Sequence, residues 1–499
     1  MGFSSPDIYL KNSLSGQKEL FVPLVEGKVG MYVCGPTVYG EPHLGHARSA
    51  ISFDILYRYF RFLGYQVRYV RNITDVGHLE DELNGQGEDK IAKKARLEQL
   101  EPMEVAQHYT NLYRSMMAKL NVLPPSIEPT ASGHIVEQIE MIGQILANGF
   151  AYETDGSVYF DVPGYATTYP YGQLSGRVLD DLLAGSRELD GQEQKKHPAD
   201  FALWKKAEAG HIMKWRSPWG TGFPGWHIEC SAMSIKYLGL PFDIHGGGMD
   251  LKFPHHEAEI AQCHAAFGRA PVRYWMHNNM VTLDGQKMAK SKGNFISLGQ
   301  MFSGDHPLLE KAYNPMTVRF VMLQAHYGST IDFSNQALKA AEVACGRLQK
   351  GLKLIEGLQI DESTVIDTEL SAQLLRACER CYQTMGDDFN TAETIAGLFD
   401  LLRLAHQLTQ RQGGIYQQTL NTLQTTYRVF LIDVLGISPE TDSEDTRLPD
   451  VLAILTNLRQ QARTQKNFAL SDQIREQLAS IGIQVNDDKT STAYEFVAK

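Results

Sequence analysis

Long apolar runs are absent from this 499-residue sequence, and no stretch approaches the ~18 apolar residues of a membrane-spanning helix. The opening residues, MGFSSPDIYLKNSLSG, lack the apolar core of a secretory signal peptide, and Pro6 departs from the N-myristoylation pattern. Hydrophobic residues make up 43% of the chain and charged residues 21%, as in ordinary globular proteins. We therefore expect a cytoplasmic protein without a membrane partner.

Cysteine and net positive charge are scarce as well. Six cysteines in so long a chain do not make a disulfide framework, so the question is which of them have a chemical role. The formal net charge of −11 excludes a global basic field, and any nucleic-acid surface must be a local patch. Because single domains typically hold ~100–200 residues, the length predicts more than one domain.

Several familiar motifs are also missing. The sequence has no Gly-x-x-x-x-Gly-Lys-Ser/Thr phosphate loop at its candidate nucleotide site, and Ile260 occupies the place of the second histidine of a metalloprotease His-Glu-x-x-His motif. Cys378 and Cys381 are spaced like metal ligands, but they have no second pair and follow a helical pattern. We interpret these two cysteines as packed helix residues.

A strand–helix–strand pattern is present near the start. VGMYVCG (29–35) reads as a buried strand, residues 47–63 as an amphipathic helix and YQVRYVRNIT (65–74) as a second strand. This order predicts a parallel sheet with a right-handed crossover. Ligands bind such sheets at the carboxyl ends of the strands, where Cys34 and the turn with His43 and His46 follow the first strand.

The remaining chain alternates between elements and polar connections. We predict a mobile acidic loop over 75–89, a charged structureless connection over 185–200 and mainly helices after Pro307. The other predicted elements are helices over 90–120 and 134–147, a hairpin over 152–162, a strand over 242–244 with a turn at 246–248, and a strand, turn and basic loop over 274–294.

Four residues form a candidate metal site. His255 and Glu259 are four apart in PHHEAEI, so on a helix they share one face. Cys34 and Cys230 lie in segments that we expect to be strand ends or turns facing the same site. Two thiolates, an imidazole and a carboxylate suit zinc. The alternative is ordinary structure, because His-x-x-x-Glu pairs are frequent on helix surfaces and scattered cysteines are usually buried apolar residues.

Two further clusters suit phosphate. The loop KMAKSKGN carries Lys287, Lys290 and Lys292, which either stabilise phosphate charge or form a solvated turn. His43 and His46, together with the backbone amides at the following helix N-terminus, suit a triphosphate.

Motifs spread along the chain resemble those of a known family. His43-Leu44-Gly45-His46 and the run from Lys287 to Ser291 resemble the two signature motifs of class I aminoacyl-tRNA synthetases. CGPTVY, RNITD, GWHIECSAM, DIHGGGMDLKFPHHEAEIAQ and MAKSKGN resemble cysteinyl-tRNA synthetases in particular. Leu44 and Ala289 replace the more usual Ile and Ser, and an acidic insert (76–88) interrupts the family's continuous TDIDDK motif. The resemblance runs from Tyr9 to the C-terminus and is weakest over the last ~50 residues.

The resemblance implies an α/β fold, with a Rossmann-like parallel-sheet catalytic domain followed by all-α tRNA-binding domains. We expect the catalytic domain over 1–335 with an inserted connective segment at about 120–215. A helix-bundle tRNA-binding domain follows over 336–440 and a small anticodon-side module over 441–499. The basic residues available for phosphates in that module are Arg459, Arg463, Lys466 and Arg475, for each of which a solvated helix face is the alternative. We expect a monomer.

The resemblance also implies one zinc per chain, held by Cys34, Cys230, His255 and Glu259, that selects the substrate thiol. Trp226, Thr37 and His245 are expected to line the cysteine pocket, although Trp226 fits a core position too. None of the insertions looks like an editing domain, which agrees with selection through a metal–sulfur bond.

The implied reaction has two steps. Cysteine attacks the α-phosphate of Mg²⁺-bound ATP to give cysteinyl-adenylate, and the 2′-hydroxyl of the terminal adenosine of cysteine tRNA then takes the acyl group. We expect the following residues at the ATP: His43, His46, Lys287 and Lys290 at the phosphates, Gly246, Gly247 and Gly248 close to the adenosine, and Asp250 at the ribose. No side chain is assigned as the base for acyl transfer.

Two rival hypotheses remain. A ligase that joins cysteine to an amino sugar would share both sites but should lack a full tRNA-binding C-terminal region. The long C-terminal region of this chain argues against that hypothesis. A catalytically inactive paralogue that serves as a binding protein should have lost the histidines or lysines, and all of them are present.

Overall fold

The computed structural model describes residues 6–76, 79–81, 86–98, 100–177, 194–208, 211–288, 293–360, 365–410, 414–439, 447–480, 483–487 and 492–496. The chain divides into two compact units, residues 1–438 and 439–499. Lys290, Lys292 and most of the predicted connection over 185–200 lie outside the described residues. Among the described helices, none combines the length and the apolar character needed to cross a membrane.

The first unit opens with a hairpin and the predicted strand–helix–strand. The elements are β1 (Tyr9–Lys11), β2 (Lys18–Leu20), β3 (Lys28–Val33), α1 (Leu44–Phe62) and β4 (Gln66–Arg71). β3 and β4 pair in parallel, as predicted. Helix α1 begins three residues before the expected Ala47 because histidines cap it: His43 Nδ1 accepts from the Gly45 N–H at 3.0 Å, and His46 Nδ1 accepts from the His43 N–H at 3.2 Å.

The acidic insert and the helices after it come next: β5 (Leu79–Asp81), β6 (Gln86–Asp89), α2 (Lys90–Glu98), α3 (Pro102–Lys119), a 3₁₀ turn (Ser132–His134) and α4 (Ile135–Ala147). A mobile acidic loop was predicted over 75–89, but β5 and β6 pair antiparallel, so these residues form a hairpin instead. The predicted helices over 90–120 are confirmed, and Pro102 takes the first position of the second helix, where a missing N–H costs nothing.

A separate antiparallel sheet follows, and its strand order is β10-β11-β9-β8-β7. Its elements are β7 (Ala151–Thr154), β8 (Ser157–Phe160), α5 (Val162–Ala166), β9 (Phe201–Lys206), β10 (Trp215–Ser217) and β11 (Gly220–Pro224). The predicted hairpin over 152–162 is confirmed, with Asp155 and Gly156 at positive φ in its turn. Val158, Phe160, Leu203 and Trp204 form the core of this sheet.

The chain then returns to the parallel sheet, whose order is β13-β12-β3-β4. The elements are α6 (Trp226–Leu238), β12 (Phe242–Gly248), a 3₁₀ turn (Met249–Lys252), α7 (His255–Phe267), β13 (Val272–Asn278), β14 (Val281–Leu283), β15 (Gln286–Lys287), α8 (Leu298–Ser303), α9 (Pro315–Leu323) and β16 (Ile331–Phe333). The predicted turn at 246–248 is wrong, since these glycines pair with β13 as part of β12. A Cβ on Gly246 would lie 2.2 Å from the Phe53 ring, so this glycine lets α1 pack on the sheet.

Helices complete the first unit: α10 (Asn335–Glu356), α11 (Thr368–Gly386), α12 (Thr391–Gln410), α13 (Gln417–Arg428) and a π-helical turn (Val429–Val434). Cys378 and Cys381 are buried in α11, as predicted. One hydrophobic core runs from the parallel sheet into these helices. Residues 336–438 therefore belong to the same compact unit as the sheet, and a functional boundary at 335/336 stays a prediction.

A buried ion pair joins α1 to the end of this unit. Arg319 Nη2 lies 2.5 Å from Asp54 Oδ2, and neither side chain is exposed. Arg319 also donates to the Leu435 carbonyl oxygen at 2.7 Å. Because removing one partner strands a buried charge, we expect loss of either to cost about 3–5 kcal/mol of folding free energy.

The second unit is a small α/β module: α14 (Arg447–Thr464), α15 (Phe468–Ser480), β17 (Ile483–Asp487) and β18 (Thr492–Phe496), with the two strands antiparallel. The expectation of an all-α tail is wrong for this hairpin. Arg459 is only 2% exposed, so the prediction that it contacts phosphate or lies on a solvated helix face is wrong. Arg463, Lys466 and Arg475 are exposed, and Arg475 pairs with Asp472 at 2.9 Å.

Candidate functional site

A cavity of about 740 Å³ opens at the carboxyl ends of the parallel strands. This is the position where ligands bind sheets of this type. Residues far apart in sequence meet there, and ten of the predicted site residues line it: Cys34, Thr37, His43, His46, Trp226, Cys230, Gly248, Asp250, His255 and Lys287.

Two histidines flank the start of α1 at one end of the cavity. The rings of His43 and His46 lie 4.0 Å apart. Burial and then the neighbouring His43 hold the pKa of His46 well below its usual range, so this imidazole is neutral. Since Nδ1 of His46 accepts the capping hydrogen bond, Nε2 carries its proton. The pair thus presents N–H donors beside the positive end of a helix dipole.

The four predicted metal ligands also converge: Cys34, Cys230 and His255 line another part of the cavity, and Glu259 lies beside them without being a lining residue. Their ligand atoms all lie within 4.8 Å of one another. The separations are 3.5 Å between the sulfurs of Cys34 and Cys230, 3.2 Å from His255 Nε2 to Glu259 Oε1 and 3.8 Å from Cys34 Sγ to Glu259 Oε1. A tetrahedral zinc site needs ligand separations of about 3.3–3.8 Å, and the three separations lie within or about 0.1 Å below that range, so the set suits that ion.

Different elements supply these ligands. Cys34 follows β3 as expected, and His255 and Glu259 share one face of α7. Cys230 was expected at a strand end or turn, but it lies within α6. The prediction was wrong because α6 packs on α7 and presents this helical position to the site.

Neighbouring histidines orient two of the ligands. His255 Nδ1 lies 3.1 Å from His227 Nδ1, and His255 Nε2 is buried without a hydrogen-bond partner while it faces Glu259. An imidazole held on one nitrogen and open on the other is typical of a metal ligand. His245 donates from Nε2 to Glu259 Oε2 at 2.8 Å and is fully buried. It is not among the lining residues, so its expected place in the cysteine pocket stays a prediction.

The charges in this cluster favour the ionised forms of three ligands, whereas burial and then the neighbouring Cys230 raise the pKa of the Cys34 thiol. Burial raises the pKa of the Cys230 thiol, but the hydrogen bond from Cys34 and the charge of His255 outweigh it and lower that pKa to about 6. Burial lowers the pKa of His255, and the Cys230 thiolate and Glu259 carboxylate outweigh it to give about 10. Burial opposes ionisation of Glu259 too, yet His245 and His255 hold its pKa at about 2. A thiolate, a carboxylate and a displaceable imidazolium proton suit a divalent metal.

A second histidine competes for the same position. Cys34, His245, His256 and Glu259 also bring their ligand atoms within 4.8 Å of one another. His256 Nε2 lies 3.3 Å from Cys34 Sγ but 4.0 Å from Glu259 Oε1. Its Nδ1 lies 2.8 Å from His277 Nε2. Neither His256 nor His277 was singled out from the sequence, where the His255-His256 pair was the available signal.

Some of the predicted glycine and aromatic site residues line the cavity, and others only pack beside it. Gly248 and Asp250 line the cavity, whereas Gly246 and Gly247 do not. A Cβ on Gly247 would lie 2.8 Å from the His256 ring, so close packing explains this glycine better than approach to a nucleotide. Trp226 lines the cavity, and its ring lies 4.4 Å from that of His255. This position favours the hypothesis of a pocket residue over that of a core residue.

Three further lining residues come from the RNITD motif, to which sequence reasoning gave no role: Arg71, Asn72 and Thr74. Asn72 Oδ1 accepts from the Gly35 N–H at 2.8 Å and so fixes the turn after Cys34. Arg71 pairs with Glu128 at 2.8 Å, while its Nε and Nη1 are buried without partners. Their place in this motif was the only sequence signal for them.

Comparisons with known proteins identify the family of this chain. The family model "tRNA synthetases class I (C) catalytic domain" matches residues 20–343, and the DALR domain matches residues 380–438. The chain is 55% identical to a cysteine–tRNA ligase of Porphyromonas gingivalis, over 97% of this chain and 98% of that protein. It is 46% identical to the cysteine–tRNA ligase of Chlorobium chlorochromatii, with the same two coverages.

Solved structures support the fold. The Mycobacterium tuberculosis methionyl-tRNA synthetase bound by methionyl-adenylate is similar with a TM-score of 0.55 at 16% identity, covering 89% of this chain and 96% of that one. The Agrobacterium radiobacter LeuRS in a ternary complex with tRNA and LeuAMS has a TM-score of 0.58 at 13% identity, covering 83% of this chain and 85% of that one. On the family match and the identity to its relatives, the chain belongs to the cysteine–tRNA ligases of the class I aminoacyl-tRNA synthetase family.

Proposed function

We propose that this enzyme activates L-cysteine with Mg²⁺-bound ATP and transfers the cysteinyl group to cysteine tRNA. The observation that carries the proposal is the four-donor cluster at one end of a cavity whose other end holds paired histidines on a helix N-terminus. The proposal therefore assigns thiol selection and phosphate binding to two groups of residues that line one cavity. We further propose that it acts in the cytoplasm as a monomer.

The metal proposal is one zinc per chain, held by Cys34, Cys230, His255 and Glu259. Zinc binds thiolates strongly and, when bound here, takes the thiol of the substrate as a ligand, which serine and alanine cannot match. Trp226 and Thr37 line the same cavity, and we assign them to the cysteine pocket. We prefer His255 to His256 because this set contains both cysteines and its histidine has the shorter distance to Glu259.

The two histidines make different predictions. His255→Ala should lose most of the zinc, whereas His256→Ala should keep it bound, since His256 is then only a neighbour of the ligands. Elemental analysis of both purified variants measures this. Retained zinc in His255→Ala together with its loss in His256→Ala would assign the site to the alternative set instead.

In the proposed activation step, a carboxylate oxygen of cysteine attacks the α-phosphorus of ATP. The new oxygen–phosphorus bond forms as the bond to the bridging oxygen breaks, and pyrophosphate leaves with that electron pair. His43 and His46 offer N–H donors, and Lys287 and Lys290 offer positive charge to the phosphates as charge develops on them. Gly248 and Asp250 face the cavity where the adenosine is expected. These residues position and stabilise, and none of them forms a covalent intermediate.

The second step is transfer to the 2′-hydroxyl of the terminal adenosine of the tRNA. The match of the DALR domain to residues 380–438 and the near full-length relatives favour tRNA over an amino sugar as acceptor. We place anticodon-side contacts in the second unit, where Arg463, Lys466 and Arg475 are exposed.

ATP–pyrophosphate exchange across the amino acids tests the proposal as a whole. We expect exchange with cysteine and essentially none with serine or alanine. Charging of cysteine tRNA by the same preparation then separates the two acceptors. An enzyme that exchanges with cysteine but never charges tRNA would support the amino-sugar ligase instead.

A further inference from the structure

One of the residues that line the main cavity carries a buried acceptor to which the reaction described above gives no role. Asn278 is the last residue of β13, at the carboxyl end of the parallel sheet. Only 4% of this residue is exposed, yet its Oδ1 has no hydrogen-bond partner among the residues that the structure describes. Because burial of an unpaired polar atom is unfavourable, such an atom beside a ligand cavity indicates that a ligand supplies the missing hydrogen bond.

The hydrogen bonds around Asn278 fix the orientation of its amide. Asn278 Nδ2 donates to the Asn279 carbonyl oxygen at 3.3 Å, which leaves the amide oxygen as an acceptor. Asn279 also lines the cavity, but both ends of its amide bind within the protein. Its Oδ1 accepts from the Met280 N–H at 2.8 Å, and its Nδ2 donates to the Gly328 carbonyl oxygen at 3.2 Å. Of these two neighbouring asparagines, Asn278 therefore has the amide oxygen that a ligand can use.

The strand pairing of Asn278 places this acceptor beside the residues assigned to the adenosine. Asn278 is the register partner of Gly248 in the neighbouring strand, and Gly248 and Asp250 are the two lining residues assigned to the adenosine above. Two methionines that also line the cavity, Met249 and Met280, are 37% and 46% exposed. Thioether side chains are flexible and polarizable, so they suit contact with a flat aromatic ring. Apolar surface together with a single acceptor suits a purine base that carries an amino group.

We propose that Asn278 selects adenine, with its Oδ1 accepting a hydrogen bond from the 6-amino group of the base. This inference rests on the proposed function, because it concerns the ATP of the activation step. The donors of adenosine are this amino group and the two ribose hydroxyls, and the hydroxyls are assigned to the Asp250 carboxylate. Guanine carries a carbonyl oxygen at ring position 6. Two acceptors would then face each other without a proton between them, so the contact favours ATP over GTP.

Purine riboside triphosphate, which has hydrogen in place of the 6-amino group of ATP, tests the contact in the full chain. In cysteine-dependent pyrophosphate exchange, wild type should use ATP with a kcat/KM about tenfold higher than that for the analogue. Asn278→Ala has no acceptor at this position, so it should use the two nucleotides about equally, mainly because its kcat/KM for ATP falls. Asn279→Ala is the matched control, since it changes the neighbouring asparagine, and it should retain the tenfold preference.

Two ribose analogues, 2′-deoxy-ATP and 3′-deoxy-ATP, separate the base from the sugar. Wild type and Asn278→Ala should discriminate against each of them by the same factor, because the substitution leaves the ribose contacts in place. Loss of that discrimination in Asn278→Ala would assign the oxygen to the ribose and overturn the proposal. So would a tenfold preference that Asn278→Ala retains.

Wild type alone also provides a test that does not depend on the folding of a variant. Equal use of ATP and purine riboside triphosphate by the unchanged enzyme would overturn the selection of adenine through its amino group, while the proposed function would stand. If wild type showed no cysteine-dependent exchange with ATP, the proposed function itself would fail, and this inference with it.

Discussion

The two ends of the main cavity are built in different ways. At the metal end, Cys230, His255 and Glu259 are each at most 2% exposed and sit on packed helices, with His227 and His245 fixing their orientation. At the phosphate end, Lys287 is exposed on a two-residue strand, and the histidines lie at a helix start. Thiol selection needs donors fixed in position, whereas departing pyrophosphate needs cations that accompany a changing charge. We therefore expect substitutions at the metal end to change which amino acid is activated. Substitutions at the phosphate end should change the rate of activation.

The largest effect should come from a metal ligand. Cys230→Ala should lose the zinc, and cysteine activation should collapse by more than the ~10–100-fold typical of residues that only support a ligand. Elemental analysis and exchange measure the two consequences. Cys263→Ala, which removes an equally buried cysteine of α7 outside the cavity, should keep both. Active enzyme without zinc, or full zinc in Cys230→Ala, would contradict the metal assignment.

A large but different effect is expected at the phosphate end. Lys290→Ala should slow exchange by ~10²–10³-fold and leave the KM for cysteine nearly unchanged, because its charge acts mainly as pyrophosphate departs. Lys292→Ala in the same loop is the control and should have a smaller effect. An exchange rate within a few-fold of wild type would show that Lys290 lacks this role.

A smaller effect should follow from changing a neighbour of the ligands. His245→Phe keeps the ring volume but leaves Glu259 Oε2 without its donor, so zinc affinity should fall by ~10–100-fold. Competition with a chromophoric chelator measures the affinity. The control, His264→Phe, alters a histidine that stacks on Tyr169 and lies on α7, the helix of Glu259, and the zinc affinity of this variant should not change. Unaltered zinc affinity in His245→Phe would mean that the hydrogen bond does not support the site.

Both ends should survive loss of the second unit. A chain that stops at Ser438 keeps the whole first compact unit, so cysteine-dependent exchange should persist. Charging should weaken mainly through the KM for tRNA, because remote contacts contribute mostly uniform binding. Full charging efficiency in the shortened enzyme would remove the proposed role of the second unit.

The smallest effect is expected from the acidic insert. Deleting residues 77–87 removes none of the assigned groups, so exchange should remain within a few-fold of wild type. A collapse of exchange in a folded deletion variant would show that the insert supports the catalytic cavity.

Sequence periodicity was sufficient for the parallel β3–α1–β4 unit and for the shared face of His255 and Glu259, because both depend on spacing within single elements. Periodicity failed where contacts between segments far apart in the sequence determine the structure. Gly246 is a strand residue, and it has no room for a side chain because the Phe53 ring packs against it. Cys230 faces the site from a helix that packs on α7. The resemblance brought Cys34 and Cys230 together before the fold was known. It did not reveal the choice between His255 and His256, which depends on contacts with His227 and His277.

The start of α1 shows a local limit of the same kind. Histidine is not among the strongly preferred helix-capping residues, so the sequence predicted a later start. The reciprocal hydrogen bonds of His43 and His46 form the cap and fix both imidazoles at once. The residues proposed to contact phosphate therefore also determine where their own helix begins.

X-ray absorption at the zinc edge, with and without saturating cysteine, tests the central claim that the metal end selects the substrate thiol. The account predicts a zinc with two sulfur ligands in the free enzyme and one more when cysteine binds, while serine leaves the sulfur count unchanged. A count that stays at two in the presence of cysteine would contradict direct metal recognition of the thiol, even if zinc were bound at the proposed residues.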